Sequence, residues 1–462
     1  VNEKSYTEAP LSSFHKRIFL CIVLGQVACG YALGIAGTAL TQATDPLNLS
    51  SFWVGLLGAG TLIGLFGSLI VGNIADKIGR RPLFISHMIL FTVLSLAQFF
   101  VSNVIILFAI RVGIGISIAI DYTIGNALLI EWFPKKHGSR FQSYIIIFWM
   151  SGFVASYIAG IVITGLGDNT WRWIIISSAI PGLITAVSRL VINIPESPSW
   201  LASVGRKEEA ISLIHHELGD EYTIVDESED VKHDKPASWS ELFSPGVFRN
   251  VVVGGIFYAC QVFPFFGIGI FLPLLLKNMN IGNPSVSGIL YNGFQIVGAI
   301  IGVILFKYIS RRFFIVSTFY AAAAALGALI IWRSAPASIM MVIFSIFAVV
   351  MSASVILENP YPSELFDTRL RGSGVGAVIA ISRVGAALGT FLLPIITSSF
   401  GVYASLLVCL IFLLVGGIVC QIWAPETSPK FMKAKNAKVQ NTKVKNVKSV
   451  LTSSLDISDD KI

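Results

Sequence analysis

The sequence predicts an all-α membrane protein of twelve transmembrane helices arranged as two similar six-helix halves. Three observations carry that expectation. The 462 residues are 54% hydrophobic and only 13% charged, whereas a soluble domain carries about 25% charged residues. Apolar runs long enough to cross a bilayer recur along the whole length. A set of charged turns in the first half returns in the second at a nearly fixed distance.

Taken in order, the first run covers 17–42 and follows His15-Lys16-Arg17. That basic flank resembles a signal sequence, but no small-residue cleavage site follows and more runs do, so it reads as a retained helix. Further runs lie at 52–75, 83–102, 104–133, 141–166 and 172–194, then at 250–276, 286–309, 313–333, 337–361, 370–397 and 401–424. The connections alternate in charge. One side carries Lys77, Arg80, Arg81, Lys135, Lys136, Arg140, Arg311, Arg312, Arg369 and Arg371, and the other only Arg172, Lys277 and Arg333. The positive-inside rule then places both termini in the cytoplasm of a cell (inner or plasma) membrane. The polar stretch 195–249 separates an N-terminal bundle, 1–194, from a C-terminal bundle, 250–424, and a tail, 425–462, follows. Within 195–249, Ile211, Ile214 and Leu218 recur at helical spacing, which predicts a short amphipathic helix against the membrane or the span ends. "ESEDVKHDKP" and the Lys-rich tail are expected to be mobile and disordered.

Arg80 recurs at Arg311, Glu131 at Glu364 and Pro195 at Pro425, offsets of 231, 233 and 230 in the numbering. Two similar helical halves with a site between them is the architecture of rocking secondary transporters. The turns would then meet when the cytoplasmic side closes. Asp76 and Glu131 are expected to pair with Arg80, Arg81 and Arg140, and Glu364 and Glu426 with Arg311, Arg312 and Arg371; Glu196 joins the first set. Positive-inside topology alone explains the bases, but not the acids that recur beside them.

Four ionisable residues fall deep in apolar runs: Arg111, Asp121, Glu358 and Arg383. A charge near midplane costs on the order of 2.5–3.5 kcal/mol on insertion scales, so each calls for a reason. Asp121 and Arg383 each lie about twelve residues from the basic end of their run, roughly 18 Å at 1.5 Å per residue. They are expected to face each other across a central cavity. Asp121 then either takes a proton while Arg383 holds a polar or anionic substrate group, or the two form a static buried pair. Glu358 precedes Pro360 and Pro362, which break the helix and make it a hinge; it either carries a proton or contacts substrate, or it sits at a wet cavity wall with no specific task. Gln26, Gln261, Asn292 and Gln295 are polar residues on the helices expected to line the cavity; such residues serve equally as interhelical glue. Arg111, nearer the outer face, and His87, on a peripheral third helix, read as structural.

Gly72-x-x-x-Asp76-x-x-Gly79-Arg80-Arg81 resembles the signature loop between helices 2 and 3 of the major facilitator superfamily, and Arg111-Val-Gly-Ile-Gly115 its fourth-helix motif. "PESPSWL" at 195–201 is similar to the sugar-porter motif, with Ser199 replacing Arg. "PSELF" at 362–366 and "PET" at 425–427 match the same branch. The resemblance implies the major facilitator fold and alternating access. It places the chain nearest the bacterial metabolite:proton symporters allied to sugar porters. Ala32 stands where proton-linked sugar porters carry an Asp in helix 1, and only Gln261 remains of their helix-7 polar set, which points away from a hexose.

No nucleotide-binding phosphate loop and no zinc motif occur, so neither enzyme chemistry nor a cofactor or metal is expected. The five cysteines all lie in apolar runs and read as packing residues. The net charge of +7 comes largely from the topological bias and the tail, not from a nucleic-acid surface. The expected partners are the bilayer, a small-molecule substrate and protons, and the expected state is a monomer. The function that follows is proton-coupled uptake of a small polar or anionic metabolite; an uncoupled facilitator of a sugar or organic acid, or a transporter-like sensor, are the alternatives.

Overall fold

Inside a bilayer a backbone must satisfy its own hydrogen bonds, and an apolar run does so by closing into a helix. The computed structural model describes residues 4–164, 169–224, 239–279, 284–366, 370–428 and 431–432. Among them are twelve helices long and apolar enough to cross a membrane. They are α1 (Ser13–Ala43), α2 (Ser51–Ile78), α3 (Arg80–Phe100), α4 (Val104–Trp132), α5 (Lys136–Ile163) and α6 (Thr170–Ile192) in the first half. The second half holds α7 (Pro245–Ile270), α8 (Val286–Tyr308), α9 (Arg311–Ile331), α10 (Ala337–Glu364), α11 (Ser373–Phe400) and α12 (Val402–Trp423).

Two helices break where the sequence carries proline. The seventh run ends at Ile270, and a separate short helix, Leu272–Asn278, begins with Pro273 at its first turn. In α10 the regular helix stops at Val355 and resumes at Pro360–Glu364, leaving Glu358 and Asn359 in the interruption. Neither Pro360 nor Pro362 has an N–H to continue the ladder.

The two halves pack in the same pattern: α1 lies on α5 and α6, and α7 on α11 and α12. The halves touch chiefly through α2 with α11 and α5 with α8. This seam lies toward the end opposite the charged turns. There the Phe52 and Phe391 rings meet edge to face at 5.5 Å, and a side-chain carbon at Gly55 would strike the Phe391 carbonyl. Small residues at such a crossing let the backbones approach. Toward the charged end the halves part and enclose a cavity. Large apolar side chains left exposed, such as Val93 on α3, Val191 on α6 and Ile411 on α12, face outward, where lipid would cover them.

The segment between the halves is built onto the first half. Its helix Lys207–Leu218 buries Ala210 and Ile214; Ile214 and Leu218 pack with Tyr6, Ala9 and Tyr222, and Ile211 is only half-buried. Strand β1 (Lys4–Ser5) pairs in parallel with β2 (Tyr222–Thr223), and Arg17 meets Glu217 at 3.3 Å. The amphipathic face predicted for this helix therefore packs on protein at the end of the first half, with Ala210 in place of Ile211. "ESEDVKHDKP" and most of the tail lie outside the described residues.

Candidate functional site

The cavity between the halves has a volume of about 460 Å³. Gln26, Tyr122 and Trp149 line it from the first half and Tyr258, Glu358 and Arg383 from the second, with Phe265 and Phe266 beside them. Ser68, Asn126, Asn359 and Gly376 continue the lining toward the charged end. Aromatic rings span the two halves: Trp149 on α5 lies 6.2 Å from Phe265 and 6.1 Å from Phe266 on α7.

Glu358 is partly exposed to this space, held there by the break in α10. The Tyr258 hydroxyl, the Gln261 amide and, farther off, the Arg383 guanidinium surround it. Gln261 donates to Ser354 Oγ at 3.0 Å and stands one layer behind the wall. Arg383 is only 8% exposed, and its Nε has no hydrogen-bond partner. Its guanidinium lies 6.0 Å from the Tyr122 ring, and no carboxylate among the described residues is within 4.0 Å of it.

Asp121 is not Arg383's partner. One residue separates the two directions: Tyr122 turns into the cavity, while Asp121 turns into the first half and is completely buried. There its Oδ1 meets Arg189 Nη2 at 2.5 Å and His87 Nε2 at 3.4 Å, and its Oδ2 accepts from Gln26 Nε2 at 3.1 Å. Arg189 on α6 also donates to the Cys21 carbonyl, to the Phe84 carbonyl at 2.9 Å and toward His87 at 2.8 Å, with its plane over the Phe84 ring. Four helices (α1, α3, α4 and α6) thus close on one ion pair. A side-chain carbon at Gly25 would collide with both its members, so only glycine leaves the pair its place. His87, read from sequence as a packing residue on a peripheral helix, belongs to this cluster. Arg189 was not singled out at all. Its one signal was an arginine inside an apolar run.

The remaining polar candidates divide. Gln26 connects the buried pair to the cavity wall. Asn292 donates to the Gly288 carbonyl of its own helix at 2.8 Å, and Gln295 lies beside Tyr291; both are buried away from the cavity. Arg111 donates to the Leu57 carbonyl of α2 at 2.5 Å.

The charged turns repeat in space as in sequence. Gly79 takes φ +96°, a conformation natural to glycine, and turns the chain from α2 into α3. At the start of α3, the Glu196 carboxylate accepts from the amides of Arg80 (2.9 Å), Arg81 (3.1 Å) and Ser197 (2.9 Å). At the start of α9, Glu426 accepts from those of Arg311 (3.0 Å), Arg312 (3.2 Å) and Ser428 (2.9 Å). A carboxylate at a helix N-terminus satisfies orphan donors and complements the helix dipole. Arg80 pairs with Asp76 at 2.9 Å and Glu131 at 3.4 Å, and Arg311 with Glu364 at 3.4 Å. The position matching Asp76 is Lys307, and Arg311 instead lies over the Phe306 ring.

Two expectations change here. Arg81 and Arg312 direct their guanidinium groups to Asn193 Oδ1 (2.6 Å) and the Gln421 carbonyl (2.5 Å), not to carboxylates. Glu426 binds backbone amides, not arginine side chains. Among the described residues no ion pair joins the two halves, so each network lies within its own bundle. The side chains of Arg140 and Arg371 lie outside the described residues, and Gly72 has open space around it.

The sequence of residues 22–390 matches the family model of the Major Facilitator Superfamily. The chain is 34% identical over 421 residues to the inner membrane metabolite transport protein YgcS of Escherichia coli, covering 91% of this chain and 93% of that protein. It is 26% identical to the arabinose-proton symporter of Bacillus subtilis, covering 85% and 89% respectively. The fold superimposes on the partially occluded inward-open conformation of the E. coli xylose transporter XylE with TM-score 0.75 at 17% identity, over 90% of this chain and 99% of that one.

Proposed function

The chain belongs to the Major Facilitator Superfamily of membrane transporters, and from that premise we propose that it is a proton-coupled symporter importing a small polar or anionic metabolite by alternating access. Both termini and the charged turns lie in the cytoplasm of a cell membrane, and the cavity opens toward them. The observation that carries the coupling is the direct connection between the buried Asp121–Arg189–His87 cluster and the substrate cavity. Gln26 contacts Asp121 and lines the cavity, and Tyr122 is the next residue of the same helix.

Asp121 is the coupling acid and Arg189 the cation that answers it. Rocking of the halves, each moving as a unit, uncovers Gln26 at the cavity wall and frees its amide from Asp121. That admits water and lets Asp121 exchange its proton on one side only. Arg383 and Glu358 serve the substrate. The charged turns hold the loops of each half in shape, so that the two bundles move as units and meet when the cytoplasmic side closes. The chain acts as a monomer.

The test is transport by proteoliposomes holding Asp121→Asn. Gradient-driven uptake is lost, while exchange between equal substrate pools persists, because exchange moves no net proton. Uphill accumulation by Asp121→Asn would remove Asp121 from the coupling role and make Glu358 the leading acid. A sealed, fully partnered ion pair also suits an uncoupled facilitator, and unchanged uptake with and without a pH gradient would favour that reading.

A further inference from the structure

The cavity describes its substrate more narrowly than the family does. Of its two charges, Glu358 already has the Tyr258 hydroxyl and the Gln261 amide as neighbours. Arg383 has no carboxylate within 4.0 Å among the described residues, Glu358 acting on it from farther off, and no partner for its Nε, although it is more than nine-tenths buried. A buried guanidinium with free donors presents a planar fork matched to a carboxylate.

Around it the walls are rich in rings and the amides and hydroxyls among them are largely engaged, while Ser68 and Asn359 lie farther toward the charged end. The Gln26 amide is engaged by Asp121, and the Asn126 amide donates to the Tyr122 carbonyl at 3.0 Å. The Tyr122 hydroxyl accepts from the Trp149 indole. What remains beside Arg383 is the Tyr122 ring, Trp149, and the Phe265 and Phe266 rings across from it. A sugar would lay several hydroxyls against these rings with few groups to answer them, and unanswered buried hydroxyls are costly. An aromatic ring would stack on them.

We propose that the substrate is a planar, ring-bearing monocarboxylate, its carboxylate held by Arg383 and its ring laid against the aromatic wall that Tyr122, Trp149, Phe265 and Phe266 form. The cavity of about 460 Å³ has room for such a molecule. The inference rests on the reading of this cavity as the substrate site of a symporter.

The test is isothermal titration calorimetry on the full chain in detergent, with no gradient, using benzoate, benzamide, acetate and xylose. Benzoate binds. Benzamide, with the ring but no charge, and acetate, with the charge but no ring, each bind at least about tenfold more weakly, the factor that one charged hydrogen bond or one stacked ring supplies. Arg383→Gln removes the preference for benzoate over benzamide, and Arg383→Lys retains part of it. Equal binding of benzoate and benzamide, tighter binding of xylose, or no binding of benzoate overturns the proposal; so does an unchanged preference in a folded Arg383→Gln protein. The benzoate–benzamide comparison on the unaltered chain decides the matter even where the variant does not fold. Benzoate binding with no proton-driven uptake would refute coupling and uphold the substrate class. Proton-driven uptake of xylose without benzoate binding would do the reverse.

Discussion

Replacing Arg189 by Met keeps the length of the side chain and removes its charge. In the native protein that guanidinium answers four groups at once: the Asp121 carboxylate, the Cys21 and Phe84 carbonyls and the His87 ring. All of this is completely buried, since Arg189 and Asp121 are both 0% exposed. Arg189→Met leaves Asp121 as a buried charge supported only by Gln26, His87 and the weak Cys29 thiol donor among the described residues, and removing one partner of such a pair costs about 3–5 kcal/mol. Asp121→Asn is milder. Arg189 keeps its carbonyl acceptors, and the new amide oxygen still accepts, so the loss is that of a charged hydrogen bond, about 1.5–3 kcal/mol. The double variant is the informative one. With no carboxylate left to strand, Asp121→Asn with Arg189→Met is more stable than Arg189→Met alone. Thermal melts in one detergent at one scan rate rank the three, since unfolding of such proteins is commonly irreversible. If the double variant melts lower than Arg189→Met by the full Asp121→Asn decrement, the two residues are independent and the electrostatic account of the cluster fails.

Gly25→Ala drives a methyl group into the same pair, so it should lower the melting temperature and impair proton-driven uptake together; a silent Gly25→Ala would show that the pair has slack. At the charged turns, Glu196→Gln should cost about 1–2 kcal/mol, because three amides lose a charged acceptor at a helix start. Asp76→Asn should cost at most about 1 kcal/mol, since its carboxylate is 67% exposed; the reverse order in melts would contradict the capping role. The Tyr6 hydroxyl is pushed up from 10.0 to about 12 by burial and then by the Glu131 carboxylate. Its contribution is fully present below pH about 10 and is lost as pH rises through about 12, so Tyr6→Phe should flatten the alkaline loss of proteolytic resistance in the Lys207–Leu218 helix. Single cysteines at Ser139 and Lys232 should resist impermeant thiol reagents in intact cells and those at Asn169 and Asn283 should react; labelling at Lys232 from outside would invert the topology.

Hydropathy located the spans well because a bilayer imposes length and apolarity on every crossing, and those survive as runs in the sequence. Prolines at 360 and 362 likewise announced the break that exposes Glu358. Pairing between deep charges was the harder matter. Depth follows from counting residues, but a partner depends on how far each helix is rotated about its axis, and adjacent residues of α4 point in different directions. Counting put Asp121 and Arg383 at one level and therefore together. Rotation put Asp121 inside the first half. Arg189 lies close to the end of its run, where arginines ordinarily snorkel to the interface, so position alone gave no sign that it reaches inward. The acids of the charged turns were recognisable as a recurring set, yet their choice of backbone amides over guanidinium groups depends on the helix starts at Arg80 and Arg311, which a charge pattern does not record.

The parallel pairing of Lys4–Ser5 with Tyr222–Thr223 has a consequence for biosynthesis. Residues 4 and 5 leave the ribosome well before their partners exist. At about 5–20 residues per second, the offset of 218 residues between each residue and its partner takes roughly 11–44 s to be made. Through that interval the six helices of the first half are inserted while the segment ahead of α1 has nothing to pair with. Its edge is free to bind a chaperone, a protease or another nascent chain. The clasp can close only after α6 has entered the membrane and the Lys207–Leu218 helix has emerged behind it. Its closure therefore cannot precede completion of the first half.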